Sequence, residues 1–423
     1  MQQEPLTLIG VSDISGRVRG KAVPASDLPV RLKQGIGWTP TNVMITAFGP
    51  IGDTPFRGLG DILMVPAPET EVKVDFGAEA PPEHFLLADI VNTDGTPWAC
   101  CLRSFLKRAV EALQAATGLR AFCAFEQEFV YPPAITAFHN GYSFDAFRRQ
   151  GSFGGVFVHA MKSAGVEPEC FLPEYAPGQY EVTYAPADDV AAADRAVIVR
   201  ELARATATRL GQRVTFAPIV DPNGVGSGVH IHMSLRDKEG RPATYDRARP
   251  FGLSAVAAQF VAGLLHHLPA LAAVTAPSVI SYIRLTPNRW APTRANLVQQ
   301  DREAAIRICP IFEGRGGDAA RQFNFEFRVA DATASPYLAL GAMIWAGVDG
   351  IRRKLPLPAD ADAGGVLPRS LDEALGFLAA TPEAKEWFGE VLLDAYIRHK
   401  RHEIALVHDL DPAEQCRRYA EVY

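Results

Sequence analysis

The amino-acid sequence predicts an α+β protein of two domains, a smaller one rich in strands and a larger one that mixes strands with helices. Three observations predict this class. The chain has 423 residues, which is enough for two domains. Its first hundred residues are short strand-like runs separated by Gly and Pro turns. After Trp98 the hydrophobic pattern becomes helical, so we place the domains at residues 1–98 and 99–423.

The first domain is predicted to consist of strands. Residues 7–24 have the pattern of a hairpin that turns at Ser15 and Gly16. Residues 60–76 predict a second pair of strands. Beyond the boundary, residues 103–116 predict a helix that ends at Gly118.

Helix start signals recur through the second domain. A long helix is predicted from about Asp189 to Leu210, with Asp188 as its N-cap and Gly211 as its end. Four further helices are predicted to begin at Ser335-Pro336, Ser370, Thr381-Pro382 and Asp411-Pro412. The C-terminal hundred residues are therefore expected to be mostly helical.

Composition and charge narrow the possible partners. The net charge is −6 and no basic run is present, which argues against a general binder of nucleic acid or anionic membranes. The most apolar long segment, residues 251–280, is interrupted by polar residues and by Pro269, so we expect a buried helix and a turn. The six cysteines show no CxxC spacing, and the N-terminus does not resemble a signal peptide. We therefore expect a cytoplasmic protein with reduced thiols.

Polar side chains lie on one face of several predicted strands. Because successive side chains alternate between faces, Glu126 and Glu128 share a face about 7 Å apart. Taken alone, this strand is most simply half exposed to water. The same pattern recurs on three more strands, in the sets His230, His232 and Ser234; Asn324, Glu326 and Arg328; and Gln179, Glu181 and Thr183. Solvated faces usually carry Lys, Thr and Ser, so four faces with Glu, His and Arg favour one shared cavity.

The chemistry of these faces favours a divalent cation beside a phosphoryl group. Several carboxylates with one or two imidazoles and no thiols are suited to Mg²⁺ or Mn²⁺. Arginines near the same segments suit the charge that develops on a transferring phosphoryl group. The sequence has no GxxxxGK[ST] motif, and GVGSGV does not fit GxGxxG. A nucleotide would therefore be bound by another architecture.

At this point the residues match a known family. The segments EQE at residues 126–128, PEYAPGQYEV, GSGVHIHMSL, SYIRL, DREAAIRI and NFEFRVADATASPYLA occur in the order found in glutamine synthetases, which the chain resembles over nearly its whole length. The resemblance implies a small N-terminal β-grasp domain and a large catalytic domain with an antiparallel, funnel-like sheet and flanking helices. It also implies a ring of subunits, commonly a double hexamer, with each active site between neighbours. The implied reaction uses ATP and two or three Mg²⁺ or Mn²⁺ ions to convert glutamate to γ-glutamyl phosphate, which an amine then attacks.

The resemblance also implies roles for individual residues. Glu128, Glu174 and Glu181 match the ligands of one metal, and Glu126, His230 and Glu326 match those of a second. Arg284, Arg328 and Gly226 match groups that hold glutamate, and Arg302 and Arg307 match arginines that stabilise phosphate. His232 and Ser234 match the nucleotide side. Asp61 matches an aspartate that a neighbouring N-terminal domain supplies, so Arg302, Arg328 and Asp61 are the catalytic candidates.

The sequence departs from the ammonia-using pattern at the amine site. In the loop LTPNRWAP, Trp290 occupies the position of a glutamate that helps to bind ammonium, and Ala47 stands about where a second acid belongs. Val225 replaces an asparagine near glutamate. Because an indole suits an alkyl or aromatic group, or an alkylammonium by cation–π contact, we predict a ligase that joins glutamate to a small organic amine. Trp290 would otherwise only pack its loop. Alternatives for the whole protein are an ammonia-using glutamine synthetase that stabilises ammonium differently, a non-catalytic glutamate-sensing relative, and a metal-dependent hydrolase.

Overall fold

The N-terminal part of the protein is built on one six-stranded sheet. The computed structural model describes residues 4–77, 81–131, 141–312, 314, 316–361 and 363–423. The strands of this sheet are β1 (Leu6–Ser12), β2 (Val18–Pro24), β3 (Ile36–Trp38), β4 (Ile62–Pro66), β5 (Val72–Val74) and β6 (Glu83–Asn92). Their order is β2-β1-β6-β4-β3, with β5 also pairing with β6, and β1 runs parallel to β6.

Of the two strand pairs predicted here, one is confirmed and the other is wrong. β1 and β2 form an antiparallel hairpin whose turn places Gly16 at a φ of 72°, a conformation that favours glycine. β4 and β5 do not pair with each other. Both pair with β6 instead. β4 pairs with the second half of β6, and β5 pairs with the first half of β6. The connection contains Pro66 and Pro68, which lack the N–H groups that a hairpin ladder needs.

The larger part contains three mostly antiparallel sheets. Their strands are β7 (Arg120–Phe125), β8 (Gln127–Val130), β9 (Pro168–Pro173), β10 (Gln179–Tyr184), β11 (Ala187–Asp188), β12 (Ile231–Arg236), β13 (Arg294–Ala295), β14 (Leu297–Gln299), β15 (Ile306–Ile308), β16 (Phe325–Phe327) and β17 (Gly365–Val366). The principal sheet has the order β11-β7-β12-β16-β15-β14, and the others are β8-β10-β9 and β13-β17. Only β14 and β15 run parallel among these described pairs.

Helices flank these sheets and dominate the C-terminal region. They are α1 (Leu28–Gln34), α2 (Leu102–Thr117), α3 (Phe144–Arg149), α4 (Phe153–Ser163), α5 (Asp189–Arg209), α6 (Ala255–Thr275), α7 (Ser281–Arg284), α8 (Ala319–Gln322), α9 (Pro336–Arg352), α10 (Leu371–Ala380), α11 (Glu383–Phe388), α12 (Glu390–Val407) and α13 (Pro412–Val422). The predicted helices are confirmed. Ser370 and Asp411 accept hydrogen bonds from the backbone N–H groups of Glu373 and Glu414, as expected of N-caps.

The helices α6 and α9 pack closely at the centre of the larger part. A Cβ atom on Gly263 would lie 2.1 Å from the carbonyl oxygen of Ala346, so only glycine allows this approach. The expected buried helix and turn are confirmed, because α6 runs through Pro269 to Thr275 and a turn follows it before Ser281. Length and composition alone would let α6 cross a membrane, but 67% of its most apolar stretch is buried inside the protein. A mostly buried helix of this kind is typical of a protein core.

A buried glutamate of α12, paired with a lysine of the same helix, accepts a hydrogen bond from the N-terminal part. The side chains of Lys400 and Glu403 are 0% exposed and 2.7 Å apart. The second carboxylate oxygen of Glu403 accepts a hydrogen bond of 2.9 Å from the backbone N–H of Ala47. The loop that contains Ala47 is therefore fixed against the C-terminal helices.

Candidate active site

The predicted polar strand faces meet at one cavity of about 460 Å³. Of the candidate residues, twelve line it: Glu126, Glu128, Glu174, Glu181, Gly226, His230, Arg284, Trp290, Arg302, Arg307, Glu326 and Arg328. His232 and Ser234 line a second cavity beside it. Asp61 is exposed just before β4 and is not among the described residues that line either cavity. The structure therefore brings together all candidates except Asp61 in two adjoining cavities.

Strand ends and strand pairing place the acids at this cavity. β7 ends at Phe125 and β8 begins at Gln127, so Glu126 lies at the break, where its backbone N–H donates to the carbonyl of His230. Glu128 on β8 lies opposite Glu181 on β10 in the antiparallel register. On the principal sheet, His232 of β12 is paired in the same way with Glu326 of β16.

Glu126 lies between two histidines. Its two carboxylate oxygens are each 3.0 Å from a ring nitrogen, Nδ1 of His230 and Nε2 of His232. Burial alone would raise the pKa of Glu126, but these hydrogen bonds outweigh it and hold the pKa well below the usual value. Burial lowers the pKa of His230, with Arg328 adding to the effect. Glu126 is thus held as an anion between the two imidazole rings.

Glu326 is held by two arginines. Its oxygens accept hydrogen bonds from Nη1 of Arg307, at 2.8 Å, and from Nη1 of Arg328. Burial would raise the pKa of Glu326, but the charges of His230 and Arg328 lower it overall. The carboxylate is 1% exposed, so the protein keeps a charge in a nearly dry position by surrounding it with donors.

The remaining acids repel one another. Burial and the charge of Glu174 raise the pKa of Glu128 to about 8, while burial and the charges of Glu126 and Glu128 raise that of Glu181 to about 10. Gln179 on β10 donates to Glu128 at 2.9 Å and fixes its orientation. Both pKa shifts come from burial among like charges, which a bound cation would offset.

The donor groups fit hard divalent cations. Among the described residues, ligand atoms of Glu126, Glu181 and His230 lie within 4.8 Å of one another, and so do those of His232, Cys309 and Glu326. The predicted grouping differs, because it assigned Glu181 with Glu128 and Glu174 to one ion and Glu126 with His230 and Glu326 to the other. All six residues nevertheless border the same cavity, and carboxylate with imidazole is the donor set that Mg²⁺ or Mn²⁺ takes.

The glutamate-binding candidates form a tight cradle. Arg284 is buried, and its Nη2 donates to the carbonyls of Val329 and Ala330, at 2.5 and 2.8 Å. A Cβ atom on Gly226 would lie 2.6 Å from the side chain of Arg284, so a glycine is required there. The buried Nε atoms of Arg284, Arg307 and Arg328 have no partner among the described residues. These donors suit an acidic ligand in the cavity.

The second cavity, of about 320 Å³, adjoins the first at Glu126. It is lined by His232 and Ser234 from β12 and by Asn324, whose side chain contacts Nδ1 of His232 at 2.8 Å. Arg236 stacks over the ring of Phe122, 3.3 Å from its centroid, at the same cavity. A flat, apolar and cationic wall of this kind suits a nucleobase or a phosphate.

Trp290 lies on a loop at the rim of the first cavity. Its side chain is 52% exposed and stacks on that of Tyr175, with the ring centroids 6.2 Å apart at 29°. The neighbouring Arg289 donates to the carbonyls of Gly224 and Pro222, at 2.8 and 2.6 Å. The loop is therefore fixed by its arginine while its indole faces the opening.

Sequence reasoning missed four residues of this site. Tyr142 donates to Glu174 at 2.7 Å, Tyr175 stacks on Trp290, Arg289 anchors the loop, and the thiol of Cys309 lies 3.6 Å from Nδ1 of His232. A signal existed for Tyr175, which directly follows a predicted metal ligand in PEYAPGQYEV. The other three contacts join segments that are distant in the sequence, so no periodic pattern predicts them.

Comparisons with known proteins agree with this geometry. Residues 2–98 match the model of the glutamine synthetase N-terminal domain, and residues 99–419 match that of the glutamine synthetase catalytic domain. The chain is 34% identical to the gamma-glutamylpolyamine synthetase GlnA3 of Streptomyces coelicolor, over 94% of this chain and 89% of that protein. It is 32% identical to the glutamine synthetase of Thermus thermophilus, over 93% of this chain and 90% of that protein. A crystal structure described as a novel glutamine synthase homolog superposes with a TM-score of 0.95 at 41% identity, covering 100% of this chain and 99% of that one.

Proposed function

Since the chain belongs to the glutamine synthetase family and is an ATP-dependent ligase, we propose that it joins the side-chain carboxylate of glutamate to an organic amine. The reaction would proceed through γ-glutamyl phosphate. An ammonia-using glutamine synthetase is the second candidate, supported by the similarity to the Thermus enzyme.

The activation of glutamate is proposed to use the cradle and the carboxylate cluster. Arg284, Gly226 and Arg328 would hold the carboxylates of glutamate, and His232 and Ser234 would border ATP in the second cavity. The five glutamates and His230 of the first cavity would hold two or three Mg²⁺ or Mn²⁺ ions, which would neutralise the charge of the phosphates. Arg302 and Arg307, at the same cavity, would stabilise the transferring phosphoryl group.

The observation that carries the choice of nucleophile is the aromatic rim. Binding and deprotonating ammonium requires acids, and at the two positions where the ammonia-using pattern has them this chain has Trp290 and the buried methyl group of Ala47. Trp290 offers its indole to the opening instead. The name of the Streptomyces relative, which states a γ-glutamyl-polyamine activity, supports an organic amine as well.

The assembled site disfavours the other two alternatives. A glutamate-sensing relative has no need of candidate phosphate-binding arginines and metal ligands, yet all these candidates line one cavity. A metal-dependent hydrolase would activate water without ATP. ATP-dependent formation of an amide separates the proposed ligase from both.

The proposal is tested by measuring ADP release with glutamate and Mg²⁺ across a panel of amines that includes ammonium. We expect kcat/KM for the best organic amine to exceed that for ammonium about tenfold or more, because the acids for ammonium are missing. Trp290→Glu, which restores the acid of the ammonia-using pattern, should raise the relative rate with ammonium. Ammonium as the best substrate of the unaltered protein would identify it as a glutamine synthetase, and no ADP release with any amine would favour the sensing role.

A further inference from the structure

We propose that the stacked rings of Tyr175 and Trp290 bind the carbon substituent of the amine, and that the preferred substrate is a monoamine with a flat apolar substituent rather than a polyamine. This inference rests on the proposed function, since it concerns the amine that attacks the activated glutamate. It differs from the activity that the name of the Streptomyces relative states.

The two rings present an apolar surface at the opening. Tyr175 is 42% exposed and Trp290 is 52% exposed, although both line the cavity and stack on each other. Leu172 and Val225 line the same cavity and add further apolar side chains to its wall. Large aromatic side chains at an opening suit contact with the apolar part of a ligand.

The loop holds Trp290 in a single unusual conformation. Asn288 and Trp290 have φ values of 63° and 57°, a region that bulky residues rarely adopt. The hydrogen bonds of Arg289 to the segment around Gly224 keep the loop in place, and the carbonyl oxygen of Trp290 accepts from Arg328 at 3.5 Å. Backbone strain that the surroundings maintain is typical of residues that contact a ligand. The indole is therefore positioned before the amine arrives.

The charges around the cavity disfavour a polyamine. A second or third ammonium group needs an acid that is free to pair with it. The acids that line the cavity, among the residues the structure describes, are the proposed metal ligands Glu126, Glu128, Glu174, Glu181 and Glu326. Arg289 and Arg302 also line it, so an additional ammonium group would share the cavity with like charges.

The test compares a panel of amines as substrates of the full-length protein with ATP, glutamate and Mg²⁺. The panel is 2-phenylethylamine, n-butylamine, putrescine, spermidine and hydroxylamine, a small nucleophile that reports γ-glutamyl transfer without a carbon substituent. We expect kcat/KM for 2-phenylethylamine to exceed that for putrescine about tenfold, the discrimination that an apolar subsite typically supplies.

Two variants assign the effect to the aromatic pair. Trp290→Ala and Tyr175→Ala should each lower kcat/KM for 2-phenylethylamine about tenfold and change the rate with hydroxylamine by less than about threefold. Trp290→Phe should restore much of the preference, which also controls for a loop that fails to fold. Phe377→Ala, which removes an exposed aromatic side chain from α10, is the matched control and should change neither rate.

The outcomes separate this inference from the proposed function. Putrescine or spermidine as the best substrate, or variants that slow all nucleophiles equally, would overturn the aromatic subsite and leave the amine ligase intact. The absence of ADP release with every nucleophile, hydroxylamine included, would overturn the proposed function itself.

Discussion

Glu181 shows how burial among other acids changes the pKa of a single carboxyl group. In the folded protein its pKa is raised from 4.5 to about 10, first by burial and then by the charges of Glu126 and Glu128. A carboxyl group with a higher pKa when folded binds more protons in the folded state between these two values. The free energy of unfolding therefore falls as pH rises through this interval, and this contribution is lost above about pH 10.

The corresponding prediction concerns the metal-free protein. Between pH 6 and pH 9 its Tm should fall by about 3 °C more than that of Glu181→Gln, which cannot ionise at this position. Saturating Mg²⁺ should remove the difference, because a bound cation replaces the proton. Thermal unfolding followed by circular dichroism, with and without a chelator, measures both. Parallel pH profiles for the two metal-free proteins would show that Glu181 is not protonated in the folded state.

At the residue scale, strand alternation predicted much of the site. The face analysis identified Glu126, Glu128, Glu181, His230 and Glu326 from their spacing alone, and the structure places all five at one cavity. Glu174 lies on no such face and followed only from the family resemblance. The proximity of Cys309 to His232 could not be foreseen, because it depends on how β15 ends beside β16 and not on any local pattern. The roles of these residues remain predictions.

At the scale of elements, local signals succeeded and non-local ones failed. The caps at Ser370 and Asp411 and the glycine that ends α2 act within one helical turn, so the sequence reveals them. The pairing of β4 and β5 with β6 was missed because strand partners are chosen by the whole sheet. Pro269 interrupts the apolar segment, yet α6 is buried along α9 and continues through it, since packing there outweighs the lost backbone hydrogen bond.

The contact between α6 and α9 provides a prediction on stability. Gly263→Ala should lower the free energy of unfolding by about 1–3 kcal/mol, because the new methyl group would meet the carbonyl of Ala346. Gly376→Ala is the matched control, for it lies on α10 with nothing within 4 Å of the added carbon. At Gly376 the same change should raise the free energy of unfolding by about 0.5–1 kcal/mol. Denaturant unfolding measures both. If both variants changed the free energy of unfolding by the same amount, α6 and α9 would separate readily enough to admit the methyl group.

At the scale of the whole molecule, Asp61 suggests that one chain does not complete the site. It is exposed and does not line the cavities of its own subunit in the part of the chain that the structure describes. The family resemblance implies that a neighbour in a ring supplies this acid. We therefore propose that the protein assembles into rings, commonly of twelve subunits, in which each cavity lies beside the N-terminal sheet of the adjacent subunit.

Subunit mixing tests this arrangement. Asp61→Asn and Glu326→Gln should each lower kcat at least about 100-fold. Rings that contain both variants in equal amounts should recover about a quarter of the unaltered rate, since one site in four then combines two native residues. Mixing Glu326→Gln with Glu128→Gln is the control, because these acids border the same cavity and no combination restores it. Failure of the first mixture to recover activity, with mixed rings confirmed by mass spectrometry, would place Asp61 outside the neighbouring site.

Glu126 belongs to both cavities, and this gives the two halves of the site a common element. One oxygen contacts His230, which lines the first cavity, and the other contacts His232, which lines the second. A ligand that shifts the carboxylate towards either histidine weakens its bond to the other. By linkage, the affinity for the first substrate must then change with occupancy by the second, and by an equal factor in the reverse direction. The carboxylate would thus make the two substrates cooperative, so that neither is bound independently of its partner.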